Sequence, residues 1–107
     1  MNPGPARFAV GLVGKGHAHL EQLTARAELL DLRELLATVY RQIIETLQTR
    51  PRDWGDPAHN YRGLDATGYQ RAILPAGLWV EYAVHNTDSV VWISKIIVLE
   101  DSPFAGV

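Results

Sequence analysis

The sequence predicts an α+β fold: a helix pair packed on a small antiparallel sheet, in the order strand, helix, helix, strand, strand, strand. Three observations predict it. The stretch from Ala18 to Thr49 contains no Pro or Gly and is rich in Leu, Ala, Glu, Gln and Arg, a helical composition. The stretch from Tyr69 to Leu99 consists of apolar and alternating runs cut by short turn signals, which reads as consecutive strands. A first alternating run, Arg7 to Val13, precedes the helices.

In that first strand Phe8, Val10 and Leu12 alternate with Ala9, Gly11 and Val13, and Gly14-Lys15-Gly16 is expected to break it. Residues 1–6, rich in Pro and Gly, are expected to be frayed. Within the helical stretch, Leu35, Leu36, Val39, Tyr40, Ile43, Ile44 and Leu47 repeat on one stripe, and Pro51 stops it. Leu20, Leu23, Ala27 and Leu30 form an earlier stripe pointing roughly the opposite way. Asp31 followed by Glu34 has the spacing of a capping box. Both facts favour a break near residue 31 and two helices. Residues 50–68 read as a long loop with Trp54 folding back as an anchor. Then come a second strand, Tyr69 to Leu74, and a turn at Pro75-Ala76-Gly77. The third strand alternates Leu78, Val80, Tyr82 and Val84 with Trp79, Glu81 and Ala83. After a hairpin loop at His85-Asn86-Thr87-Asp88, the fourth strand runs from Val90 to Leu99. The fourth is apolar on both faces, apart from Ser94 and Lys95, which places it centrally. Short turns make the last three strands antiparallel neighbours. Phe104 is a candidate last anchor in the tail.

The 107 residues fit one domain, with 47% apolar and 21% charged residues. Without cysteine there is no disulfide, thiolate zinc site or cysteine nucleophile, and a reducing cytosol suits such a chain. A net charge of −2 argues against a generally basic nucleic-acid-binding surface. Neither a membrane-spanning run nor a signal peptide is evident, so a cytoplasmic location is expected. No Gly-rich phosphate loop, Ser-centred elbow or zinc-knuckle spacing is present.

Several segments taken together resemble the RelE/ParE toxin superfamily. They are Ile44-x-x-Leu47 before Pro51, Tyr61-Arg62-Gly63-Leu64, Tyr69, Trp79-Val80-Glu81-Tyr82-Ala83-Val84 and Val90-Val91-Trp92-Ile93. The resemblance covers most of the chain. It implies the toxin-like component of a bacterial type II toxin–antitoxin system, cytoplasmic, neutralised by a cognate antitoxin and acting on a ribosome/mRNA or DNA gyrase target. In the mRNA-cutting members, the end of the fourth strand and the tail carry Lys, Arg and an aromatic or His residue. Here the corresponding stretch is Ile96-Ile97-Val98-Leu99-Glu100-Asp101, and Pro75 stands where such enzymes often have Arg. The leading reading is therefore a toxin that binds its target. A ribosome-dependent endoribonuclease with rearranged catalytic groups, or a repurposed non-toxic interaction module, are the alternatives.

Arg62, Arg71 and Lys95 are candidates for a phosphate- or acid-binding surface; ordinary ion pairs, for instance with Glu81, are the competing reading. Tyr69 and Tyr82 could orient a substrate hydroxyl, although strand tyrosines more often pack the ring and wet the hydroxyl. Leu20, Leu23 and Leu30 are expected to meet a homodimer mate or an antitoxin. His17 and His19 would share a face in an extended segment, but with His59 and His85 isolated the sequence supplies no obvious third ligand for a zinc site. Asp53 and Asp56 read as turn chemistry. No cofactor or metal is expected, and no catalytic residue is assigned.

Overall fold

The computed structural model describes residues 7–106; the expectation of frayed residues 1–6 lies outside them. The elements in chain order are β1 (Ala9–Leu12), α1 (Lys15–Leu29), α2 (Arg33–Thr49), a single turn α3 (Pro51–Trp54), β2 (Asp56–Tyr61), β3 (Ala66–Ile73), β4 (Leu78–His85) and β5 (Val90–Val98). Short 3₁₀ turns lie at Arg62–Leu64 and Pro103–Ala105. The five strands form one sheet in the order β1-β5-β4-β3-β2. The fold is α+β, with the expected strand-helix-helix start and the antiparallel run β3-β4-β5.

Two features of the sheet depart from expectation. It is mixed rather than antiparallel, because β1 lies parallel to β5, from Ala9 beside Val90 to Leu12 beside Ile93. No hairpin joins these two strands, so nothing local dictates their relative direction. The loop expected over residues 50–68 also contains a fifth strand, β2, antiparallel to β3. All six β2 residues are exposed, and Pro57 is tolerated because β2 is an edge. A strand with no buried face carries no apolar alternation.

The helical stretch does break in two near residue 31, but not by a capping box. Asp31 adopts a left-handed conformation, φ 58°, and α2 has no side-chain cap. The amide of Leu32 donates to Ala27 O (2.7 Å) and that of Asp31 to Glu28 O (3.3 Å). This bond pair is a Schellman ending of α1, with Asp where Gly is usual. The turn reorients the chain, so stripes that oppose each other along one continuous helix both reach the sheet. Leu23 and Ala27 of α1 and Leu36, Val39, Ile43 and Leu47 of α2 share one buried cluster with Leu78, Val80, Tyr82, Val84, Val91, Ile93 and Ile96. Helix α1 starts three residues earlier than expected and takes in Gly16. A Cβ there would lie 2.5 Å from Ile93 O, so only glycine lets the first turn of α1 press on β5.

Both ends of the chain's later half are tied back to this core. The Tyr82 hydroxyl donates to Pro51 O (2.6 Å) and accepts from the Gly55 amide (2.8 Å). It is therefore satisfied inside the protein rather than wetted, and burial pushes its pKa up to about 12. Trp54 packs as the expected anchor, its ring 5.7 Å from that of Tyr82. In the tail, Phe104 is fully buried, and Ser102 Oγ donates to Ala76 O (2.6 Å) while accepting from the Phe104 amide. The molecule measures 45 × 37 × 20 Å. Its short dimension is that of one helix layer on one sheet, roughly 10 Å each.

Candidate functional site: the uncovered face of the sheet

Strand residues alternate between the two faces. With Leu78, Val80, Tyr82 and Val84 turned to the helices, β4 presents Trp79, Glu81, Ala83 and His85 on the other side. Register with its neighbours extends this face. Asp56, Gln70, Glu81 and Lys95 lie in one row across β2, β3, β4 and β5, and His59, Gly68, Ala83 and Trp92 lie in the next. Tyr61, Ala66 and His85 form a third row.

A bulge decides what β5 contributes. Tyr82 pairs with Ile93 and Glu81 with Lys95, so Ser94 is the extra residue. Strict alternation from Ile93 would turn Lys95 into the core and Ile96 outward. The extra residue re-phases the strand: Ile96 is buried beside Val80, and Lys95 stands on the open face. Lys95, which interrupts an apolar strand in the sequence, thus costs the core nothing. Ser94 Oγ donates to Glu81 O (3.2 Å) at the bulge.

One part of the open face, away from the Asp56–Lys95 row, is apolar. Val13, Tyr61, Leu64, Ala83, Trp92 and Ser94 line a cleft of about 350 Å³. Its floor is low because Gly68 and Ala83 occupy the middle of the His59–Trp92 row. A Cβ on Gly68 would fall 2.8 Å from the Tyr61 ring, so glycine lets Tyr61 lie across the sheet. His59 packs edge-on against Tyr61, with ring centroids 4.5 Å apart. Beyond the cleft, Glu81 accepts from Trp79 Nε1 (3.1 Å) and sits 3.9 Å from Lys95 Nζ. Of the side chains lining the cleft, only Tyr61, Ser94 and Trp92 carry polar atoms, two hydroxyls and one indole N–H. The arrangement is suited to binding by burial and aromatic contact.

The four candidate binding residues are not brought together. Tyr69 is buried on the helix side, its ring stacked 5.3 Å from Tyr82. Arg71 pairs with Val80 in register, donates to Trp54 O (2.9 Å) and lies 5.9 Å from the Trp54 ring, a contact that pins α3. Lys95 is on the opposite face, and Arg62 is exposed in the turn after β2. The proposed partner stripe does not form one surface either. Leu23 is 3% exposed and in the core, Leu20 is partly buried against it, and Leu30 is exposed at the helix end. Leu23, with Leu20 packed beside it, belongs to the core between α1 and the sheet.

The histidines have separate tasks. His19 Nδ1 accepts from the Ile96 amide (3.1 Å). His85 closes β4 rather than lying free in a loop, and its Nδ1 accepts from the amides of Thr87 (3.2 Å) and Asp88 (2.9 Å). Among the described residues no group of three His, Asp or Glu side chains is placed to hold a metal, and no helix is long and apolar enough to cross a membrane. Sequence reasoning missed Val13, Tyr61, Leu64, Trp79 and Trp92 as a surface. A signal existed: both tryptophans fall in the strand phase opposite to the core residues. No protein-family model, curated protein or solved structure matches this chain.

Proposed function

We propose that the chain is the toxin-like component of a bacterial toxin–antitoxin pair, one that acts by binding a target through the uncovered sheet face and is neutralised by an antitoxin. The observation that carries the reading is the Tyr61–Trp92 cleft on a sheet face that the chain's own helices do not cover. Interface cores are enriched in aromatic residues and depleted in charge, and the lining of this cleft has that character. The toxin identity is supported by the ordered resemblance from Ile44 to Ile93 and by the strand-helix-helix-strand order. Target binding rather than cleavage is supported by the end of β5. Val98 is half-buried, Glu100 and Asp101 are exposed acids that repel phosphate, and the tail is spent on anchoring Phe104.

Inducing the chain alone in bacteria, with growth, mRNA integrity and DNA supercoiling followed together, tests this. The expected outcome is growth arrest with intact mRNA, relieved by co-expression of a short neighbouring reading frame and abolished by Trp92→Ala in a chain that still folds. Normal growth at high expression would end the toxin reading. Ribosome-dependent mRNA cuts would replace it with the enzymatic one.

A further inference from the structure

We propose that the edge of β5 beyond the end of β1 is a binding site for a carboxylate carrying a short aliphatic group. β1 accompanies β5 only as far as Ile93, whereas β5 continues to Val98. Along the remaining edge runs α1, and between them lies a cavity of about 250 Å³ lined by His19, Gln22, Leu23, Arg26 and Ile96 to Val98.

Three side chains that line this cavity, His19, Gln22 and Arg26, carry N–H donors. His19, Gln22 and Arg26 are spaced three and four residues apart, on one face of α1. Because His19 Nδ1 accepts the Ile96 amide, the neutral ring carries its proton on Nε2, which is left to donate elsewhere. The Ile96 bond also fixes the backbone phase. Ile96 and Val98 pair with Val80 and Leu78 two residues apart, so the Val98 amide turns to the same side as that of Ile96, where, among the described residues, no strand is paired with it. Arg26 Nη1 donates to Ala105 O (2.8 Å), which steadies the guanidinium and leaves its other N–H groups for a ligand. No side chain lining the cavity is acidic.

A set of donors beside one planar guanidinium matches a carboxylate, whose two oxygens take a fork of parallel bonds. The remaining side chains between α1 and this edge, Leu23 and Val98, are apolar and suit an aliphatic group attached to it. Phosphate fits less well, because one fixed cation does not neutralise a dianion and the apolar walls leave its other oxygens without partners. The carboxylate can belong to a small free acid or to the C-terminus of a peptide. A peptide would also lie along the β5 edge and use the Val98 amide.

The test is an amide-resolved NMR titration of the intact chain with N-acetyl-leucine, N-acetyl-leucinamide, inorganic phosphate and a leucine-terminated peptide. N-acetyl-leucine is expected to shift the Val98 amide and the Arg26 Nε–H, and leucinamide to bind about tenfold more weakly or less, since it lacks the charge-assisted bonds. Arg26→Met is expected to lower affinity about tenfold without moving the unfolding midpoint. Should that variant unfold, the acid-against-amide comparison on the unaltered chain still decides. Tighter binding of the peptide identifies a chain end as the source, and equal binding identifies a free acid. Equal affinity for acid and amide, phosphate binding as tight as N-acetyl-leucine, or no shift at Val98 and Arg26 would overturn the proposal.

Discussion

The two faces of this sheet are built from the same strands but obey different rules. On the helix side every large strand residue has a partner. Val80, Val91 and Ile93 are fully enclosed, and the Tyr82 hydroxyl makes both of its bonds within the protein. On the other side, Trp79, Trp92 and Tyr61 share a surface with Glu81 and Lys95, and among the described residues neither long helix packs against it. An antiparallel sheet that simply faces water alternates polar with apolar residues. This one places aromatics in both phases. The first face explains why the chain folds; the second has a composition that folding alone does not require, and this makes it the candidate for function.

The contrast predicts a descending series of effects. Ile43, 2% exposed on the covered side, should lose about 2–5 kcal/mol on Ile43→Ala, from lost burial plus the cavity left behind. Denaturant unfolding reads this, and a midpoint that barely moved would mean that the α2 stripe is not packed on the sheet. Tyr82→Phe should cost about 1–3 kcal/mol, because it leaves the Gly55 amide and one Pro51 lone pair without their partner.

The same tyrosine makes the fold sensitive to alkali. Its folded pKa, about 12, lies above the ordinary 10.0 because burial disfavours the phenolate. Between these values the unfolded chain has lost the proton and the folded chain has kept it. The stability contribution is therefore complete below pH 10 and falls as the pH rises towards 12. Burial also raises the pKa of Tyr40, which adds in the same direction. Tyr82→Phe should flatten the alkaline slope of the unfolding free energy, and an unchanged slope would contradict the buried, bonded hydroxyl.

On the open face the order reverses, with small effects on stability and large ones on function. Tyr61, 38% exposed, should change stability by less than about 1 kcal/mol on Tyr61→Ala, while the growth inhibition expected from the proposed function is lost. Equal toxicity in the variant would remove the cleft from the target interface. Smallest of all, Lys95→Met should alter stability by about 0.5 kcal/mol or less, because the Glu81–Lys95 pair is partly exposed. A larger loss would show that the bulged segment depends on that pair.

Much of the covered face was legible in the sequence. The stripe from Leu36 to Leu47, the break near residue 31, the succession β3-β4-β5 and the anchors Trp54 and Phe104 all follow from local periodicity, turn residues and large apolar side chains. The open face was legible only in part. Trp79 and Trp92 stand in the outward phase, but Tyr61 and Leu64 belong to a segment whose Pro and Gly read as loop. Arg62, Tyr69, Arg71 and Lys95 are close in the order of motifs yet lie on different faces or in a turn. Their separation depends on strand register and on the Ser94 bulge, which no single segment specifies.

By itself, then, the sequence determined which stretches are helical or extended and which of their residues are large enough to fill a core, because those properties are set within a few residues of chain. Tertiary structure alone decided that β1 lies parallel to β5, that Asp56–Tyr61 joins the sheet as an edge, that the Tyr82 hydroxyl is satisfied by Pro51 and Gly55, and that Tyr61 and Trp92 face one cleft. Each of these pairs residues far apart in the chain, and their relative placement is set by how the whole sheet closes against its helices.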